Sequence, residues 1–233
     1  MTRPKQFLIA AASVIVVAGS FVYCYILVKT LRTEVPTTVS APGELDPVRP
    51  RVKHDVTPEM VETSHRMEGF SAPGFTAIDG QNCMHRLANE LEHGPVVLVF
   101  IKDGCPCSIA AQPFFDRIAQ AYAGSVQFLG VIDGEPSVAR AWGEKYHATF
   151  PILADPNLKI TADFQVESSA HTVLINRDGT LARFWPGFSR AMLAELNTTI
   201  AAKTYSRLRF INLIEAPAEL TTGCPFDLPP ASP

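Results

Sequence analysis

An uninterrupted apolar stretch, Val96-Val97-Leu98-Val99-Phe100-Ile101, runs almost directly into Cys105-Pro106-Cys107-Ser108 and then into an amphipathic helical pattern through Pro113 to Ala123. A buried strand followed closely by a helix puts both cysteines at a strand-to-helix turn. A cysteine in a first helical turn lies near the positive end of the macrodipole and near unpaired backbone N–H groups, and both favour thiolate over thiol. The thiolate is the reactive form, and two neighbouring thiols can store two electrons as a disulfide and return them by exchange. The pattern implies redox chemistry. A zinc site would need a second ligand pair, and no other Cys-x-x-Cys or His-x-x-x-His spacing occurs in the chain.

Spacing sets the options for such a pair. Residues i and i+2 point apart on a regular helix, so a Cys105–Cys107 bridge requires a distorted, strained turn, which makes a disulfide more oxidising. Alternatively Cys105 or Cys107 attacks and a distant cysteine resolves, for which Cys224 in Gly223-Cys224-Pro225-Phe226 is the candidate.

The chain has 233 residues, enough for one well-buried domain with ends to spare. A net charge of −3 without any cluster of lysine and arginine excludes nucleic-acid binding. Phe7 to Val28 carries no charge over 22 positions, long enough for a helix to cross a bilayer core. Arg3 and Lys5 precede it and Lys29 and Arg32 follow, so residues 1–6 are expected in the cytoplasm and the bulk of the chain outside, periplasmic in a Gram-negative cell. Its length, and its end at Tyr23-Cys24-Tyr25-Ile26-Leu27 without small residues, favour an uncleaved anchor over a signal peptide, with Cys24 an apolar residue in lipid. Residues 29–68, with prolines at 36, 42, 47, 50 and 58, read as a tether.

From residue 69 to 203 strand-like and helix-like patterns alternate. Helix is expected around His85 to Leu91, strand over 126–132, helix over 137–147, strand over 149–153 and a short helix over 157–164. Strands at 172–175 and 181–185 join through Asn176-Arg177-Asp178-Gly179, whose Asp-Gly is a hairpin signal, and a last helix spans 189–203. Parallel strands early and an antiparallel pair late give an α/β fold, a central mixed sheet with helices on both faces, preceded by one transmembrane helix. Residues 204–233, proline-rich and carrying Cys224, form either a loose end or a flap bearing a resolving thiol, the loose end being the simpler expectation.

Ser71-Ala72-Pro73-Gly74-Phe75, the stretch Phe100 to Cys107, Pro113, Phe150-Pro151-Ile152-Leu153-Ala154-Asp155-Pro156 and Val173-Leu174-Ile175-Asn176-Arg177-Asp178-Gly179 together resemble the redoxin form of the thioredoxin fold. That group contains the alkyl hydroperoxide reductase/thiol-specific antioxidant proteins and the membrane-anchored TlpA- and ResA-like thiol–disulfide oxidoreductases. Aligned on Phe100 and Pro113, Cys105 matches the first cysteine of the family's Cys-x-x-Cys and Ser108 the second, with Cys107 displaced by one. Gly104 replaces a frequent tryptophan, and Ala170 stands where the family carries a cis-proline that helps hold a partner chain. The peroxidase pattern Pro-x-x-x-Thr-x-x-Cys lacks its threonine, because Lys102 and Gly104 lie three before the two cysteines.

Among possible supporting residues, His171 reads either as a base or thiolate partner or as a structural histidine. Lys102 and Asp103 would move a thiol's acidity in opposite directions and otherwise belong to a solvated loop. Cys83 is expected as a buried apolar side chain in an early helix, and Phe184 and Trp185 as core.

The resemblance therefore implies a membrane-anchored extracytoplasmic thiol–disulfide oxidoreductase with Cys105 and Cys107 as catalytic residues and Cys224 as possible resolving thiol. No cofactor is expected. Protein thiols or disulfides are the implied substrates, and a thiol reductant or membrane electron donor the implied partner. Thiol-dependent peroxide reduction is the near alternative. A copper carrier using Cys105, Cys107 and His171 is the distant one, since thiolates and imidazole suit Cu(I).

Overall fold

The computed structural model describes residues 54–228. The candidate anchor at 7–28, Cys24 and most of the expected tether lie outside the described residues. Among those described, no helix is long and apolar enough to cross a membrane.

The elements in chain order are β1 (His54–Asp55), α1 (Pro58–Met67), β2 (Thr76–Ile78), β3 (Met84–Arg86), α2 (Leu87–His93), β4 (Val96–Ile101), α3 (Pro106–Ala121), β5 (Gln127–Ile132), α4 (Pro136–Tyr146), β6 (Ile152–Ala154), α5 (Lys159–Asp163), β7 (Thr172–Ile175), β8 (Leu181–Trp185), α6 (Arg190–Lys203) and β9 (Thr221–Thr222). A five-stranded sheet runs β6-β5-β4-β7-β8. β4 pairs parallel with β5, β5 parallel with β6, and β7 antiparallel with both β4 and β8. The expected mixed sheet is therefore present.

β4 lies at the centre and is buried along its whole length because both sheet faces are covered. Val97, Val99 and Ile101 face a core shared with Phe114, Phe115 and Ile118 of α3 and Leu193 and Leu196 of α6. Val96, Leu98 and Phe100 face the opposite core, with Leu87, Phe164 and Phe184. The period of two along the strand thus feeds two cores.

Three expectations need correction. The domain begins before residue 69, since α1 occupies the end of the expected tether. Thr57 accepts a hydrogen bond from the Met60 N–H at 3.3 Å, and Pro58 sits where a missing N–H costs nothing. Glu68, which follows the helix, takes Arg183 Nη1 on both carboxylate oxygens at 3.1 Å and so fastens α1 beside β8. Second, Met84–Arg86 is a strand rather than the start of a helix, because it pairs antiparallel with β2. Cys83 consequently lies in the turn between them and is exposed, not buried in a helix.

Third, the tail is not a loose end as far as it is described. β9 pairs antiparallel with β1, Phe188 and Thr221 exchange backbone hydrogen bonds at 2.9 and 3.1 Å, and Phe226 is buried in the same core as Phe100 and Phe164.

Candidate functional site

β4 ends at Ile101 and the chain turns through Lys102-Asp103-Gly104 into α3. The Cys105 N–H donates to the Lys102 carbonyl at 3.2 Å, and Gly104 holds φ at +71°, a region that favours glycine and would strain a tryptophan. Cys105 is the N-cap of α3 and remains in extended conformation, while Pro106 opens the helix. Its side chain accepts no capping bond from the helix N–H groups.

The sulfur finds other donors. The Cys107 thiol donates to it. The Ser169 hydroxyl donates at 3.3 Å, the Cys224 thiol donates as well, and the Cys224 main-chain N–H donates at 3.2 Å. Each favours the charged form, and their sum outweighs burial, so the Cys105 thiol is held far below the ordinary cysteine range. The Cys107 hydrogen bond is the largest contribution. That same bond raises the Cys107 thiol, reinforced by burial and by the Cys105 charge. Burial first, then the bond to Cys105, push Cys224 up to about 11, with Lys102 opposing. One thiolate is thus flanked by two protonated thiols, and all three cysteines are free. Sequence reasoning placed the stabilising N–H groups on the helix; the structure supplies the main-chain donor from the tail.

Cys105 itself is only 2 % exposed because the tail crosses over it. Segments 167–169 and 223–226 form a short antiparallel ribbon. Gly223 N–H donates to the Ser169 carbonyl at 2.8 Å, Ser169 N–H to the Cys224 carbonyl at 3.0 Å, and Phe226 N–H to the Glu167 carbonyl at 2.8 Å. Glycine is required at 223 by proximity, since a Cβ there would stand 2.0 Å from Ser169 Oγ and 2.9 Å from its carbonyl oxygen. Lys102 Nζ meets Asp227 Oδ2 at 2.8 Å and lies 5.9 Å from the Phe226 ring centroid.

Of the remaining candidates, Ser108 is buried and its Oγ accepts the Lys102 N–H at 3.2 Å, so it ties the turn to the helix. Ala170 has φ of +61° and donates its N–H to the Phe100 carbonyl at 2.7 Å, a bond proline could not make. No cis peptide bond occurs among the described residues. His171 is buried, packed edge-on to Phe184 with centroids 5.8 Å apart, and its Nδ1 lies 3.5 Å from Thr222 Oγ1. Burial lowers it to about 4 against the pull of the Ser169 and Ser168 carbonyls, so it is neutral at pH 7 and offers no charge to a thiolate. Asp103 donates its N–H to Asp133 at 2.6 Å, and Lys102 lies between Asp133 and Asp227, so the pair organises the turn and the tail. Ser169, a direct donor to sulfur, carried no sequence signal beyond its place before Ala170.

The proposed copper ligands do not assemble, because His171 faces Thr222 and Phe184. Among the described residues no group of three or more His, Cys, Asp or Glu side chains is arranged to hold a metal ion.

The profile of the AhpC/TSA family matches residues 69–184. No curated protein sequence matches significantly. Among solved structures, the peroxidoxin BcpB from Mycobacterium tuberculosis is 21 % identical, with TM-score 0.53 over 60 % of this chain and 98 % of that one. A protein described as a putative thiol:disulfide interchange protein DsbE from Chlorobium tepidum is 22 % identical, with TM-score 0.54 over 59 % and 97 %. A hypothetical protein from Sinorhizobium meliloti 1021 is 17 % identical, with TM-score 0.57 over 77 % of this chain and 98 % of that one. At these identities the structures establish the thioredoxin-like fold, while the family match supports an oxidoreductase. Residues 69–184 are thus similar to the AhpC/TSA family of redoxins.

Proposed function

We propose that the protein is a thiol–disulfide oxidoreductase in which Cys105 is the attacking thiolate. The observation that carries this reading is the convergence of Cys107, Ser169 and the Cys224 N–H on one buried sulfur. Cys105 attacks a substrate disulfide, whose S–S bond breaks as a mixed disulfide forms and the departing sulfur takes up a proton. Cys107 or Cys224, losing its proton, then attacks Cys105, leaving an internal disulfide and a substrate reduced by two electrons. A thiol reductant or membrane electron donor restores the dithiol. The uncharged stretch at 7–28 supports a single-pass anchor with the domain in an extracytoplasmic, oxidising compartment.

Peroxide reduction is the second reading, favoured by the enclosure of Cys105, which admits a small oxidant more readily than a folded protein. There the thiolate takes one peroxide oxygen as sulfenic acid, and a neighbouring thiol condenses with it to release water.

Peptide mapping of the reduced full-length protein after one equivalent of hydrogen peroxide, or separately of oxidised glutathione, separates the two. A Cys105 disulfide formed rapidly by glutathione and slowly by peroxide establishes the first reading. The reverse order establishes the second, and thiols inert to both overturn the redox assignment.

A further inference from the structure

The tail lies beside the reactive sulfur in the manner of a bound peptide. Its backbone adds as a strand to residues 167–169 through three hydrogen bonds of 2.8 to 3.0 Å. Such pairing supplies affinity independent of side chains, while the pockets between supply selectivity. Three positions are selective here. Position 223 accepts glycine alone, because Ser169 fills the space where a Cβ would project. Position 224 brings a thiol to Cys105, with its own N–H on that sulfur. Position 226 sends an aromatic ring into the core to which Phe100 and Phe164 also belong, while the intervening Pro225 stays exposed.

Outside the ribbon, residues 223–227 are held by the Lys102 to Asp227 ion pair, in which Asp227 is exposed, and by the approach of Cys224 Sγ to His54 Nε2 at 3.7 Å, while Thr221 and Thr222 just before them are anchored separately by the pairing with β1, by Phe188 and by the Thr222 hydroxyl on the Ser169 carbonyl at 3.3 Å. Nothing covalent retains the tail while the cysteines are reduced.

We infer that the edge at 167–169, together with the pocket filled by Phe226, is a binding site for extended polypeptide of the pattern Gly-Cys-x-aromatic, and that residues 223–226 are its built-in competing ligand. The inference rests on the reading of Cys105 as the attacking sulfur. A protein disulfide reaches Cys105 only by taking the tail's place, in the tail's register, with its cysteine where Cys224 now stands. The competing tail lowers apparent affinity by the fraction of time the edge is free.

The test uses the reduced full-length protein in detergent and a labelled peptide spanning residues 219–228 with serine at the position of Cys224, followed by fluorescence anisotropy. The variant Gly223→Ala cannot seat its own tail but leaves the edge intact. It is expected to bind the glycine-containing peptide at least about tenfold more tightly than the parent does. Phe226→Ala, which empties the pocket from the tail's side, is a second variant with the same expected direction. The same peptide with alanine in place of its glycine is expected not to bind either variant. Equal affinity for parent and variants, or equal affinity for the glycine and alanine peptides, overturns the inference. Binding of the serine peptide involves no electron transfer. It therefore stands or falls apart from the redox reading, which is tested by whether the disulfide of the cysteine peptide oxidises Cys105.

Discussion

The main-chain N–H of Cys224 lies 3.2 Å from the sulfur of Cys105, although the two are 119 positions apart in the chain. A backbone donor is not removed by any side-chain substitution other than proline, so this contact persists with any other residue at 224, provided the tail stays seated. Cys224→Ser is therefore expected to leave the Cys105 thiolate largely intact while removing a resolving thiol. The thiolate absorbance in the far ultraviolet at pH 7 reads the first effect, and peptide mapping after oxidation the second. Loss of the thiolate signal would show that the thiol of Cys224 matters more than its N–H.

Ser169→Ala removes a neutral donor from a charged sulfur. Hydrogen bonds to charged groups contribute about 1.5–3 kcal/mol, equivalent to about 1–2 pH units. The pH profile for alkylation of Cys105 by iodoacetamide, flat through neutrality in the parent, is expected to move upward by that amount. An unmoved profile would remove Ser169 from the site.

Cys107→Ala deletes the largest contribution to the lowered Cys105 thiol. Its alkylation profile is expected to move further upward than that of Ser169→Ala. A Cys105–Cys224 disulfide should then be the only internal product of oxidation by glutathione. If Cys107→Ala still oxidises at the parent's rate, Cys224 is the resolving thiol in the parent as well.

His171 titrates at about 4 in the folded chain because it is buried, against about 6.5 when unfolded. Between those values the unfolded chain binds the extra proton, so stability rises with pH across the window and is lost as pH falls through it. The contribution is on the order of 3 kcal/mol for a fully buried histidine. Urea midpoints should climb as pH is raised from the lower of these values to neutrality, and the climb should flatten in His171→Phe. A slope unchanged by that substitution would assign the pH dependence to other groups.

Glu68→Ala unfastens α1. The carboxylate holds Arg183 and also accepts the Phe184 N–H at 3.2 Å, while Glu195 retains Arg183 from the other side. Because the pair is partly solvated, a loss of about 1 kcal/mol is expected, read as a lower thermal midpoint.

The parts of the fold legible in the sequence are those specified by neighbours along the chain. Val96 to Ile101 is a continuous run of strand formers, and Asp178-Gly179 turns a hairpin between two short apolar segments. Helix α1 is also locally encoded, in Thr57-Pro58-Glu59, but a proline at the end of a proline-rich stretch reads equally as extended chain. Strand β3 shows no apolar alternation because Met84 and Arg86 are both exposed, and its pairing with β2 decides its conformation. Cys105 and Cys107 are legible as reactive. What holds Cys105 ionised is not, because Ser169 and the Cys224 N–H reach it only through tertiary contacts that no local pattern records.

The pairing of β1 with β9 makes the two extremities of the described chain into one hinge plate: His54 lies opposite Thr222, and its Nε2 is 3.7 Å from Cys224 Sγ. Whatever tugs on the backbone ahead of Val56 pulls on the strand that seats the Gly223–Phe226 cover. Trimming the N-terminal side of the domain to residue 57 would thus amount to loosening its C-terminal side. A shortened protein prepared for convenience would show its sulfur more freely than the intact chain does.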